Sequence, residues 1–470
     1  MKLSPVPLFG IGNTGNTGKS VNVNAQERLN LYAEVVPDPE KGDQLKFYPT
    51  PGQELFINLG ANEIRGMWEV GGVMYAVCGP SLYSVQEDGT SAALGVLLTS
   101  EGRVTMDDNG LQLMIVDNPN GYIVTLATQA FAQITDSDWP GAVSVTQLAQ
   151  RFIVNPPDGA GRFHWSALGN GLAWDALDFA TAESNSDNLV RVQADGGQLY
   201  LFGTRTTELW GVSASADAPY AIIGSSAVEW GLAAGDSLCK GDDCLMFLRQ
   251  NRLGQVQVCR LVGASAQVVS NPEIDHVINS YDEFSDATAF AYLLGGHSFY
   301  QITFPTAGRS WLYDSSNGAW SRVGGDTSRH NADTHVVFGG RSLVGDYASG
   351  KIRRLGAEYL TDDGVSIVRE WIGRHQSAGS PSQFGELWIE MEAGVGLQTG
   401  QGDDPQVMMQ ISRDGGHTWG AEMWRTIGRI GAYLTRASWN RLGQSRDWLF
   451  RFRVTDPVKV VFIAAWGTFK

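Results

Sequence analysis

Val73-Met74-Tyr75-Ala76-Val77-Cys78-Gly79-Pro80-Ser81-Leu82-Tyr83-Ser84-Val85 sets two short apolar runs on either side of a Gly-Pro-Ser tip. Alternation broken by turn residues is the pattern of an antiparallel hairpin. The arrangement recurs at residues 111–126, 152–168, 199–212, 245–261, 299–313 and 336–355, making seven copies spaced roughly 40 to 55 residues apart. One hairpin cannot bury its own apolar face, so the copies must stack, and a period of this size suits the four-stranded blade of a propeller. The expected fold is all-β: a propeller of about seven blades over residues 61–363, its inner strands lining the centre.

Outward from the repeats the pattern changes. Residues 1–25, rich in Gly, Asn, Thr and Ser, read as an extended arm. Residues 26–60 carry strand-like runs at 29–36 and 45–48, and part of this segment is expected to close the ring by adding a strand to the last blade. The repeat ends at 361–364. Beyond it, longer runs at 386–392, 406–412, 432–439, 448–454 and 458–466 predict a β-sandwich over 364–470.

The chain has 470 residues, 43% of them hydrophobic, enough for more than one packed domain. Its 57 glycines favour tight turns over long helices. No apolar run is long enough to span a bilayer, and Met1 to Leu8 lacks the apolar centre of a secretory signal. A soluble protein made in a cytosol is expected, with no direct insertion into a membrane. The four cysteines, Cys78, Cys239, Cys244 and Cys259, imply no disulfide framework. Cys239 and Cys244 are half of a zinc pattern that no paired histidines complete, so they read as buried strand thiols.

Charge is uneven. Residues 1–363 hold 22 basic and 40 acidic side chains, a net −18, whereas residues 364–470 hold 12 and 10, a net +2. An acidic body repels nucleic acid, so only the C-terminal part is suited to meet anionic groups. Arg425, Arg429, Arg436, Arg441, Arg446, Arg451 and Arg453 have one acid among them in sequence, Asp447. The first four are the candidate assembly surface.

Gly10, Gly12 and Gly15 have the spacing of a dinucleotide loop, and Gly18-Lys19-Ser20 the end of a phosphate loop. Both motifs need a following helix whose N-terminus faces the phosphates, but Val21-Asn22-Val23-Asn24 reads as strand or coil, and Asn13 stands where the second motif requires glycine. No cofactor is expected. His330, Asp333 and His335 are possible metal ligands, but their Ser, Arg, Asn and Thr neighbours read as a solvated loop. Ser412-Arg413-Asp414-Gly415-Gly416-His417-Thr418-Trp419 matches the Asp-box hairpin found in sialidases. Ser412, Asp414 and Thr418 should fix the turn, Gly416 supply its backbone angle, and Trp419 pack beneath. A single box outside the repeats, with no grouped catalytic residues, marks a turn and not a reaction; the chain is expected not to be an enzyme. A carbohydrate-active propeller remains the alternative.

A further set of residues carries a family likeness: His164-Trp165-Ser166-Ala167-Leu168, Leu177-Asp178-Phe179-Ala180-Thr181-Ala182-Glu183, Asp187, Leu199-Tyr200-Leu201-Phe202-Gly203, Thr207-Glu208-Leu209-Trp210 and Gly231-Leu232-Ala233-Ala234. Asn24-Ala25-Gln26, Asn30-Leu31-Tyr32, Thr50-Pro51-Gly52 and Arg429-Ile430-Gly431 extend it. This succession resembles the packaged-DNA-stabilisation or tail-hub proteins of short-tailed bacteriophages. The resemblance implies a virion tail protein, synthesised and assembled in the bacterial host cytoplasm. It implies a six-fold ring of identical subunits below a portal-adaptor ring, retention of packaged DNA without sequence-specific binding, and attachment of a tail needle, tailspikes or fibres. Another phage tail part, such as a nozzle propeller, would differ in its neighbours. With −18 on the main body, retention should be mechanical, by closing the exit channel.

Overall fold

The computed structural model describes residues 4–5, 19–20, 25–37, 44–158, 161–182, 187–215, 218–241, 243–251, 253–263 and 265–469. Most of the arm expected over 1–25, with its glycine motifs, lies outside them.

Six separate sheets make the blades of a propeller. In the first, Ile64–Val70, Val73–Cys78, Ser81–Val85 and Ser91–Val96 pair in sequence order. The next three start on Thr105–Asp108, Ser144–Leu148 and Leu189–Asp195, and the fifth is built around Leu245–Gln250 and Val256–Val262. The sixth joins Ala332–Phe338, Arg341–Asp346 and Lys351–Gly356 to Gly52–Asn58, a strand from the other end of the domain. Several hairpins between first and second strands turn on glycine pairs, Gly71-Gly72, Gly196-Gly197, Gly295-Gly296 and Gly339-Gly340, each with φ between 55° and 87° at both positions. Two positive φ values give a turn whose twist matches the strands, and glycine adopts them without strain.

The expected count of about seven blades is corrected to six. The repeat at 299–313 lies in a meander, Thr288–Leu294, His297–Phe304, Arg309–Asp314 and Ala319–Val323, that is not a sheet of its own. Its last strand pairs with Glu27–Leu29, which pairs in turn with Arg369–Ile372, so the meander is the edge of a 14-stranded sheet running into the C-terminal domain. It fills the gap between the fifth and sixth blades. Tyr300, Ile302 and Trp311 pack with Met246, Leu248 and Val258 on one side, and Phe290, Tyr292 and Phe299 with Ala332 and Val344 on the other. Burial at such faces is the main force closing the ring.

The C-terminal domain is organised by Ala437–Val454, 18 residues long. Its first half pairs with Gln376–Met391, and its second half with Arg369–Ile372 and Gln406–Ser412. One strand thus serves both layers, as at the corner of a sandwich. Trp371, Trp439, Trp448, Phe450, Phe452 and Phe462 fill the space between. Gln44–Pro49 and Leu31–Val36 extend the sheet beyond Phe462–Phe469. The strand expected at 432–439 is corrected: residues 432–436 are turn and loop, and the strand begins at Ala437. Ala432-Tyr433-Leu434 is apolar enough to read as strand, but Gly431 with φ 83° and the bond from the Ala432 amide to the Arg429 carbonyl at 2.9 Å hold a turn there.

Candidate functional site

Three places hold side chains placed for more than packing. The Asp-box is a closed set of bonds: Ser412 Oγ donates to Asp414 Oδ1 at 2.7 Å, the Gly416 amide donates to Ser412 Oγ at 2.8 Å, and the Thr418 amide and hydroxyl donate to the Asp414 carboxylate at 2.9 and 2.5 Å. These bonds, led by the Thr418 hydroxyl, hold the Asp414 carboxyl well below the usual carboxylate range. Trp419 lies half-buried beside Ala25, Ile372 and Leu449, with the Arg451 guanidinium 4.0 Å above its ring.

The C-terminal arginines divide into two groups. Arg451 and Arg453 converge on Glu370 at 3.6 and 2.6 Å, and Arg453 also reaches Asp326 of the loop after the fused meander at 3.2 Å. Glu370 sits on the sandwich's own strand Arg369–Ile372, and of these pairs only Arg453–Asp326 reaches outside the C-terminal domain; among the described residues neither arginine is paired with Asp447. Arg425, Arg429, Arg436 and Arg441 are exposed. Arg425 donates to the Ser438 carbonyl at 2.7 Å, Arg429 stands 3.7 Å from Asp404, Arg436 lies 4.8 Å over the Trp388 ring, and Arg441 occupies the left-handed region at φ 59°. Between Arg429 and Arg436 the loop exposes Ile430, Tyr433 and Leu434, the last 96% accessible.

The third place is the propeller centre, an open cavity of about 600 Å³ lined by inner strands. Its charged residues are Glu69, Arg103, Asp107, Arg191, Asp236 and Lys240. Asp107 accepts the Gln147 amide at 2.7 Å and the Thr146 hydroxyl at 3.2 Å, and burial pushes its carboxyl up to about 6. No sequence motif singles out any of these six. A usable signal exists nonetheless, since Glu69 and Arg191 lie in the runs that end at Gly71-Gly72 and Gly196-Gly197, and such runs line the centre.

His330, Asp333 and His335 do not form the solvated loop expected of them. His330 is buried, accepts the Ala332 amide at 3.2 Å and meets the Gln53 amide at 3.2 Å. Asp333 and His335 belong to Ala332–Phe338, where Asp333 accepts the Thr288 hydroxyl at 2.5 Å and His335 stacks on Phe290. The strand starts four residues before the apolar run because Asp333, Thr334 and His335 are polar, so only the stretch from Val336 shows as apolar in the sequence. Burial lowers both imidazoles to about 4. Burial likewise raises the Cys239 and Cys244 thiols, to about 12 and about 11. Among the described residues no group of three or more His, Cys, Asp or Glu is placed to hold a metal ion, and no helix is long and apolar enough to cross a membrane.

A propeller joined through one continuous sheet to a C-terminal β-sandwich defines the class of this chain. Residues 18–359 match the family model of the bacteriophage P22 Gp10 β-propeller, and residues 382–466 that of the bacteriophage P22 Gp10 β-sandwich; the chain belongs to this family of phage structural proteins. No curated protein matches the sequence. Among solved structures the chain is similar to the extracellular domain of a one-component system from B. thetaiotaomicron, at 9% identity and TM-score 0.44, covering 80% of this chain and 47% of that one. It is similar to the Neurospora crassa Pan2 WD40 domain at 9% identity and TM-score 0.42, covering 65% and 95% of the two chains. YCF48 from Cyanidioschyzon merolae is similar at 14% identity and TM-score 0.42, covering 65% and 99%. No functional argument follows from likeness at this level.

Proposed function

We propose that this chain is a non-enzymatic tail-hub protein of a short-tailed phage. It forms a six-fold ring below the portal-adaptor ring, closes the DNA exit channel and carries a tail needle or tailspikes. The observation that carries the reading is the match of both domains to the P22 Gp10 family. Two features of this chain support it. The sheet shared by the two domains makes them one body, which suits a part that bears load. The loop at 428–436 offers an apolar tip, Ile430, Tyr433 and Leu434, inside a rim of Arg425, Arg429 and Arg436. Buried apolar centres with charged rims are the usual anatomy of a protein contact.

A ring of identical subunits joins unlike surfaces, so each must complement the next. The occupant of the arginine-rimmed loop is the acidic propeller of a neighbouring copy, whose residues 1–363 carry a net −18. Its test is addition of the purified chain to DNA-filled heads that lack it, scored by genome retention. Arg425, Arg429 and Arg436 changed together to Glu should give a folded protein that does not retain DNA, and raised salt should weaken addition of the unaltered chain. Full retention by the triple variant removes the loop from the assembly surface. Failure of the unaltered chain to retain DNA removes the hub reading itself.

A further inference from the structure

In the third blade the loop at 166–178 joins Arg162–Trp165 to the outer strand Phe179–Thr181 and is pinned from within. Trp174 is buried where the second and third blades meet, packed with Met114, Ile123 and Phe152. Its indole donates to the Gly171 carbonyl at 2.9 Å, and the Gly171 amide donates to the Gln112 side chain at 2.7 Å. Asp175 Oδ1 accepts the Leu177 amide at 2.9 Å. The same loop leaves Leu168 and Leu177 66% and 82% exposed. Leucines held outward by a fixed loop gain nothing from burial within their own chain, and apolar groups already ordered in this way lower the entropic cost of docking.

Carboxylates surround Leu177. Asp136 accepts the Trp174 amide and the Asp138 amide, each at 3.0 Å, which sets residues 136–138 beside Asp175 and Asp178. Two cations of this blade are engaged: Arg151 donates to the Ser166 carbonyl at 2.6 Å, and Arg162 pairs with Asp158 at 2.8 Å. Among the described residues no cation pairs with Asp136, Asp138, Asp175 or Asp178. The loop at 428–436 has the opposite balance. It exposes Ile430, Tyr433 and Leu434, and of Arg425, Arg429 and Arg436 only Arg429 stands near a carboxylate among the described residues, Asp404 at 3.7 Å. Acids without cations and arginines with few acids, each beside exposed leucine, are complementary in charge and alike in apolar content. Both are exposed within one copy, so they can meet only between copies, and a ring of identical subunits requires two such unlike surfaces.

We propose that the loop at 166–178, through Leu177 and the surrounding Asp138, Asp175 and Asp178, is the surface on which the arginine-rimmed loop of a second copy of this chain docks. The inference rests on the hub reading and assigns its subunit contact to one place on the propeller. The test uses the full chain added to DNA-filled heads that lack it, scored by genome retention. Asp138→Lys with Asp178→Lys changes carboxylates that hold no hydrogen bond among the described residues, and should give a folded chain whose retention falls about tenfold or more. Glu87→Lys with Glu358→Lys, an equal change of charge at exposed positions elsewhere, should retain DNA as the unaltered chain does. Joining the Asp138→Lys and Asp178→Lys pair to Arg425→Glu, Arg429→Glu and Arg436→Glu in one chain reverses both sides of the contact and should restore retention. Leu177→Ser, at a solvent-facing position, should also lower retention and decides the matter if the lysine pair does not fold. With the unaltered chain active, full retention by the lysine pair or by Leu177→Ser, equal loss in the charge-matched control, or no recovery in the combined variant overturns the docking site and leaves the hub reading standing. An inactive unaltered chain removes the hub reading and this inference with it.

Discussion

The propeller and the C-terminal domain solve the same problem, burial of sheet faces, in opposite ways. A blade uses short strands, most of four to seven residues, that pair with their neighbours in sequence, such as Thr105–Asp108 with Gln112–Val116. The C-terminal domain uses an 18-residue strand and a 16-residue strand, and takes further strands from residues 27–49 at the other end of the chain. Arg28 donates to the Trp320 carbonyl at 2.8 Å across 292 positions. Repeated nearest-neighbour interfaces make stability a sum of local parts, whereas a sheet assembled from distant segments stands or falls together. The difference extends to charge: the propeller keeps titratable groups inside its centre, and the sandwich pairs its arginines at the seam or lays them on tryptophans.

The sharpest test of that contrast is a pair of core truncations. Trp371 is 2% exposed and its ring meets Phe47, Phe452 and Phe462. Trp371→Ala should cost about 3–5 kcal/mol and raise hydrogen exchange along the whole shared sheet, including the meander at 288–323. Phe163→Ala, fully buried beside Trp210 and Tyr220, should cost a similar amount while exchange rises only in the third and fourth blades. Equal spreading of protection loss in the two variants breaks the comparison.

A smaller effect is expected at the seam. Glu370→Gln leaves Arg451 and Arg453 facing a neutral partner; removing one member of a buried pair is strongly destabilising, but both arginines are about a quarter exposed, so the loss should be on the order of 2 kcal/mol. Denaturant melts should show it, and a loss under half that value would mean the seam is held by strand pairing alone.

Within the propeller the signs of two pH effects oppose. Asp107 has a folded value raised to about 6, so its contribution is complete below the unfolded value near 4 and is lost as pH rises through 6. His330 and His335, lowered to about 4, contribute fully above about 6.5, and that stability is lost as pH falls toward 4. Asp107→Asn should therefore raise the melting temperature more at pH 7 than at pH 5, and steepen the loss on acidification. An equal shift at both values would remove Asp107 as a titrating group. The smallest effect belongs to Asp414→Ala, which opens an exposed turn. It should lower the melting temperature of the full chain slightly and alter exchange only near residues 412–419; no change at all would leave the box without a structural role.

Features set within a few residues are legible in the amino-acid sequence. Alternating runs around turn residues locate the hairpins, because side-chain period and turn chemistry act locally, and the Asp-box bonds span seven residues. The loop at 432–436 reads wrongly as strand because an apolar stretch has the same pattern whether it pairs or stands exposed, as Leu434 does. Arg103, Arg191 and Asp236 give no such signal, because three separate polar residues carry no motif until the fold brings their segments to one cavity.

The sequence by itself determined that this chain is all-β, repetitive over most of its length, acidic in that part and near neutral beyond it. Tertiary structure alone decided where one sheet ends and the next begins. Ala319–Val323 has the pattern of any last blade strand, but Glu27–Leu29 occupies its free edge and carries the hydrogen bonding on to Arg369–Ile372. An edge strand presents the same unpaired N–H and C=O groups to any partner, so which segment takes them depends on what the rest of the fold brings near. Arg28 and Trp320, which meet at this junction, stand 292 positions apart, and no local pattern can encode that meeting.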